Sequence, residues 1–81
     1  MYEQIAQPVE VLVAFRQTRM EPVVFKWGNR HYHIKRIHLV HSEREGRDKR
    51  MFFSVSDGTN AFRLSFSTDK LDWRLEDMAS I

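Results

Sequence analysis

The sequence predicts a small all-β fold: an antiparallel sheet of five or six strands that curls into an SH3-like or OB-like half-open barrel with a bulged central strand. Apolar side chains recur at every second position in six runs, the spacing at which side chains of an extended strand return to one face. The breaks between the runs are rich in Gly, Asn, Asp, Pro and charged residues, which favour turns. No segment offers a helix of three turns.

The six runs define a set of 20 positions expected to face inward. They are Val9, Val11, Val13 and Phe15; Val23, Phe25 and Trp27; Tyr32, Ile34, Ile37 and Leu39; Met51, Phe53 and Val55; Phe62, Leu64 and Phe66; and Leu71, Trp73 and Leu75. The third run keeps all its members inward only if one extra residue is inserted at Lys35-Arg36. This predicts a β-bulge there, which would bend the strand and help the sheet to close.

Length and composition bound the remaining possibilities. Eighty-one residues with 42% hydrophobic content predict one domain over 1–81, with an N-terminal segment 1–8, a charged loop 42–50 and a C-terminal tail 76–81. The absence of Cys excludes disulfides and thiolate metal sites. No signal-like start and no long apolar window is present, so we expect a cytoplasmic protein that makes no membrane contact.

Positive charge is concentrated in the middle of the chain. Between Lys26 and Arg50 eight Lys or Arg stand against three acidic residues, a net charge of +5. This segment favours a non-catalytic binding module that contacts nucleic acid, DNA or RNA, or another polyanion through phosphates. The residues expected to carry the contact are Lys26, Arg30, His33, Lys35, Arg36, Arg47, Lys49 and Arg50. An ordinary solvated face is the alternative interpretation of the same pattern.

A second hypothesis rests on apolar residues that fall on the opposite phase from the core set. Leu12, Val24, Val40 and Phe52 would form an exposed patch if the fold brings them together. Such a patch marks a protein partner or a homodimer surface. The alternative is a second sheet face partly covered by the N-terminal segment.

Catalytic and metal sites have little support in the sequence. His31 and His33 share a strand face and could join His38 or His41 in a nitrogen-ligand site, but Lys35 continues that face and no acid lies within the strand. No nucleophile elbow, phosphate loop or pair of inward carboxylates is present. We therefore expect no metal, no cofactor and no enzymatic activity.

The segment from Pro22 to Ile34, PVVFKWGNRHYHI, resembles the core of a family of small uncharacterised bacterial domains whose pattern is an aromatic, a Trp, a Gly/Arg turn, a Tyr and a β-branched residue. Phe53-x-Val55, Gly58, Phe62-x-Leu64 and Trp73-x-Leu75 are similar to the rest of that pattern. Some of these domains occur beside, or fused to, inactive Y-family polymerase relatives used in mutagenic repair. The resemblance implies a bacterial accessory role near DNA. Val40 and His41 stand where the pattern has another aromatic.

Overall fold

The computed structural model describes residues 2–81, and it places most of them in seven β-strands. The strands are β1 (Glu3–Arg16), β2 (Arg19–Trp27), β3 (Arg30–His33), β4 (Arg36–Glu45), β5 (Asp48–Ser56), β6 (Asn60–Ser67) and β7 (Trp73–Ser80). The described chain offers no helix with the length and hydropathy that a bilayer-spanning segment needs.

All neighbouring strands pair antiparallel in one sheet of order β3-β2-β1-β7-β6-β5-β4. The 14-residue β1 joins its two halves: Glu3 to Val9 pair with β7, and Glu10 to Arg16 pair with β2. The β1–β7 register shifts between Gln4 and Gln7, where Ala6 adopts φ 53°. A bulge of this kind bends a strand, so β1 folds the β2–β3 hairpin over the other half of the sheet.

The sheet is curled but not closed. Its edges are β3 and β4, which do not pair with each other in the described chain. The connection between them crosses the opening. Ile34 donates its N–H to the carbonyl of Val23 on β2, and Lys35 donates to that of Ser56 on β5, both at 2.9 Å. The expected single central strand with a bulge at Lys35-Arg36 is therefore wrong. The chain instead leaves one edge of the sheet there and begins the opposite edge, which raises the strand count to seven.

The core lies between the two halves of the curled sheet. Its fully buried members are Phe25, Phe53, Val55, Phe62, Leu64, Trp73 and Leu75, all from the predicted inward set. Three other members of that set are exposed: Phe15 by 77%, Leu39 by 58% and Leu71 by 72%. Phe15 lies near the end of the β1–β2 hairpin, beyond the core, and Leu71 lies in the β6–β7 turn with φ 59°.

A register shift at His38 reverses the expected faces of Leu39 and Val40. The shift lies between Ile37 and Leu39, so Leu39 pairs with Ser54 and Val40 pairs with the buried Phe53. Residues directly opposite each other in an antiparallel pair share a face. Val40 therefore faces inward at the open side of the sheet, and Leu39 faces outward.

Three segments outside the predicted strands also differ from expectation. Residues 3–8 of the N-terminal segment belong to β1, while Met1 lies outside the described residues. Residues 42–50 form the end of the β4–β5 hairpin, whose turn is only Gly46-Arg47. Gly46 has φ 62°, a conformation that glycine adopts without a steric cost and that two-residue hairpins require. Residues 76–80 of the expected tail extend β7.

Candidate functional site: a basic sheet edge

The β2–β3 hairpin and the crossover after it gather six basic side chains at one edge of the sheet. We call this set the β3 basic edge: Lys26, Arg30, His31, His33, Lys35 and Arg36, all of them exposed. The hairpin register places His31 opposite Lys26 and His33 opposite Val24, so these side chains share the outward face. Arg30 is opposite Trp27 on the other face, where its guanidinium carbon lies 5.7 Å from the centre of the Tyr32 ring.

Ion pairing divides the cations of the described chain into two groups. Arg16 and Arg19 pair with Glu21, Arg50 with Asp48, Arg63 with Asp77, and Arg74 with Glu76. Within residues 2–81 the four Lys and Arg of the β3 basic edge form no ion pair. Glu10 is opposite Lys26 in the sheet without contacting it closely. The edge therefore keeps its positive charge available to an external anion.

The other predicted cations lie at the far end of the β4–β5 hairpin. Arg36 and Glu45, at the two ends of the ten-residue β4, are nine residue steps apart. This is roughly 30 Å at about 3.4 Å a step. Arg47 is in the turn and Lys49 follows it. Together with Arg44 they are exposed and free of ion pairs in the described chain. The eight predicted residues thus form two separate basic regions instead of one continuous surface.

The Arg50 guanidinium is engaged in contacts within the chain. Its guanidinium donates to Ser65 Oγ at 2.9 Å and lies 3.7 Å from Asp48 Oδ2. The Ser65 hydroxyl in turn donates to Glu76 Oε2, and Ser67 donates to Asp48 Oδ1 at 2.8 Å. Both serines are fully buried although they lie on the outward face of β6. The sequence prediction of Arg50 as a ligand contact is not supported by this geometry.

The four apolar candidates for an interaction patch do not meet. Leu12 pairs directly with Val24 on the outward face of β1 and β2, where Leu12 is 65% exposed. Val40 faces inward on β4. Phe52 lies outward on β5, separated from β1 by β6 and β7. The expected single patch is therefore wrong, because sheet order, which the local pattern does not contain, places its members on three separate surfaces.

Phe52 is covered by two polar neighbours. The His41 ring stacks on it at 4.9 Å, and the Arg63 guanidinium lies 5.6 Å from its ring centre. Arg63 also donates twice to Asp77 Oδ2, at 3.0 and 2.7 Å. This hydrogen bond raises the pKa of Arg63 against the lowering effect of partial burial. With the His41 ring and the Arg63 guanidinium against it, Phe52 is unsuited to be an exposed anchor.

A groove of about 410 Å³ adjoins the β3 basic edge on its inner side. It runs between β3 and the β5–β6 turn and is lined by Arg30, His31, Tyr32, His33, Lys35, Asp57, Thr59, Asn60 and Met78. The sequence indicated Asp57-Gly58-Thr59-Asn60 only as a turn, and nothing in it placed that turn beside β3. No cluster of three metal-ligating side chains occurs in residues 2–81, and His31 and His33 lie on the opposite sheet edge from His38 and His41.

Comparison of the chain with protein families, curated proteins and solved structures finds no match. The resemblance to the small bacterial domains stays a prediction.

Proposed function

We propose that the chain is a non-catalytic binding module that holds nucleic acid, or another polyanion, through the β3 basic edge. The observation that carries the proposal is the grouping of the unpaired cations: four Lys and Arg are gathered at this edge, exposed and without an ion pair in the described chain, whereas five arginines elsewhere lie within 4 Å of carboxylates. Phosphate contacts made by such cations release counterions and give affinity that falls with salt.

The first test is the binding of a labelled mixed-sequence single strand, measured by fluorescence anisotropy at low and moderate salt. The triple variant Arg30→Gln, Lys35→Gln, Arg36→Gln removes three positive charges from the edge. We expect it to weaken binding by about tenfold or more at low salt, and to reduce the slope of log affinity against log salt by about 2, since each phosphate contact on a single strand contributes about 0.7.

The matched control is Arg44→Gln, Arg47→Gln, Lys49→Gln at the β4–β5 hairpin end. Like the test variant, it removes two arginines and one lysine, and all three positions are exposed. Near-normal binding by this control would locate the contact at the β3 basic edge. Equal losses in both triple variants would remove the edge as the site, and an unmodified chain that binds no strand at low salt would remove the proposed function.

A second candidate function is self-association through β4. This strand has an unpaired outer edge over ten residues, and beside it Val40, Met20, Met51 and Phe66 line an apolar groove of about 340 Å³. An unprotected edge of this kind can add a strand from another chain. The partner that fits is a second copy: Arg36 begins β4 and Glu45 ends it, so antiparallel pairing of the two strands over their full length places Arg36 of each chain beside Glu45 of the other.

Light scattering over a range of concentrations tests this candidate. We expect a dimer that Val40→Lys converts to a monomer, because the lysine would place a charge in the apolar groove. The comparison variant is Leu12→Lys, at the exposed apolar position on β1. A monomeric parent chain would exclude self-association, and a dimer lost only with Leu12→Lys would assign it to the Leu12–Val24 pair.

A further inference from the structure

The groove beside the β3 basic edge combines features that the charge of the edge does not explain. Its volume of about 410 Å³ is within the range of about 300–1,000 Å³ typical of small-ligand sites. Arg30, Tyr32 and His33 line it from β3, whereas Asp57, Thr59 and Asn60 line it from the β5–β6 turn. The Lys35 side chain lies beside Gly58 of that turn. A basic, partly aromatic wall therefore faces a neutral and acidic polar wall.

The aromatic wall is rigid because Tyr32 belongs to the ring cluster of the core. Its ring stacks on Phe25 at 5.1 Å with an interplanar angle of 15°, and Phe62 meets it at 5.3 Å in an edge arrangement. The Arg30 guanidinium lies 5.7 Å from the Tyr32 ring centre. A guanidinium placed in this way is a planar, charged surface on which an unpaired base can stack.

The opposite wall presents hydrogen-bonding groups with no partner in residues 2–81. The Asp57 carboxylate accepts the backbone N–H groups of Thr59 at 2.9 Å and of Asn60 at 2.7 Å, which fixes the turn. The Asn60 amide and the Thr59 hydroxyl are left free. An amide offers both a donor and an acceptor, the combination that pairs with the edge of a nucleobase.

From these two walls we infer that the groove is a subsite for one unpaired nucleotide: the base stacks on Arg30, its edge meets Asn60, and its phosphate lies toward Lys35. This inference deepens the proposed function and rests on it. It commits the module to single-stranded nucleic acid, because a base paired within a duplex cannot enter the groove.

The test compares a labelled single strand with a duplex of the same sequence, and the intact chain with Arg30→Lys and Asn60→Ala. Arg30→Lys keeps the charge but loses the planar stacking surface. We expect the single strand to bind at least about tenfold more tightly than the duplex, and each variant to weaken its binding by about fivefold or more. The slope of log affinity against log salt should be unchanged in both variants, because neither change removes a phosphate contact, and the loss of such a contact would make the slope shallower.

Arg44→Lys at the far hairpin end is the control for an arginine-to-lysine change, and it should bind like the parent chain. Both tested positions are near the surface, so thermal unfolding can verify that the variants are folded. Equal affinity for single strand and duplex, or parent-like binding by Arg30→Lys and Asn60→Ala, would overturn the subsite. If that result were accompanied by a loss of affinity in the triple glutamine variant of the β3 basic edge, the proposed function would stand and only the nucleotide subsite would be removed.

Discussion

Replacing Phe62 by alanine is expected to lower the free energy of unfolding by about 3–5 kcal/mol. Phe62 is 1% exposed and makes edge-to-face contacts with Phe25 at 4.9 Å and Tyr32 at 5.3 Å. Its removal would leave a cavity between the two halves of the curled sheet and remove aromatic pairs worth about 0.5–1.5 kcal/mol each beyond their buried area. Urea unfolding followed by tryptophan fluorescence measures the change.

Phe15→Ala is the matched control, since it makes the same change in a residue that the sequence pattern also assigned to the core. Phe15 is 77% exposed, so the expected change is within about 0.5 kcal/mol. Comparable losses in the two variants would contradict the observed position of the core. A destabilised Phe62→Ala chain should also bind the single strand less well, because Phe62 supports the ring on which Arg30 lies.

The alternation of apolar residues predicted the all-β class and every fully buried core residue, because the period of two is a local property of an extended strand. The order of the strands was not predictable in this way. The chain passes from β3 to β4 through two residues, and only the pairing of these strands with β2 and β5 shows that it changes edges. Likewise, Leu39 and Val40 are both apolar, so the pattern could not tell which of them the bulge turns inward.

The candidate site was predictable in its charge and not in its geometry. Counting residues located the positive segment, but it could not separate an exposed, unpaired cation from one held by hydrogen bonds and ion pairs within the fold. Arg30 and Arg50 illustrate the difference: one lies at an open edge over Tyr32, and the other contacts Ser65 across the sheet. The Asn60 wall was missed for the same reason, since its place beside β3 depends on the curl of the sheet.

Ser65→Ala is expected to lower the free energy of unfolding by about 1–3 kcal/mol, a large loss for one hydroxyl group. The Ser65 hydroxyl is fully buried, accepts from Arg50 and donates to Glu76, so alanine would leave two charged groups without their shared partner. Ser54→Ala provides the comparison. Ser54 is a half-buried serine on the same outward face whose hydroxyl has no hydrogen bond in the described chain, and its replacement should cost less than about 0.5 kcal/mol.

The Ser65→Ala variant also distinguishes a structural role of Arg50 from a role in ligand binding. If Arg50 acts through Ser65, the losses of stability in Arg50→Gln and Ser65→Ala will not add in the double variant, because both remove one network. Neither variant should change the affinity for a single strand by more than about twofold under conditions in which the chain is folded, since one phosphate contact would be worth more than that at low salt. Additive losses of stability, or an Arg50→Gln chain that is stable and binds weakly, would return Arg50 to the set of ligand contacts. The expected result instead assigns Arg50 to the internal network of β5, β6 and β7 and removes it from the ligand contacts.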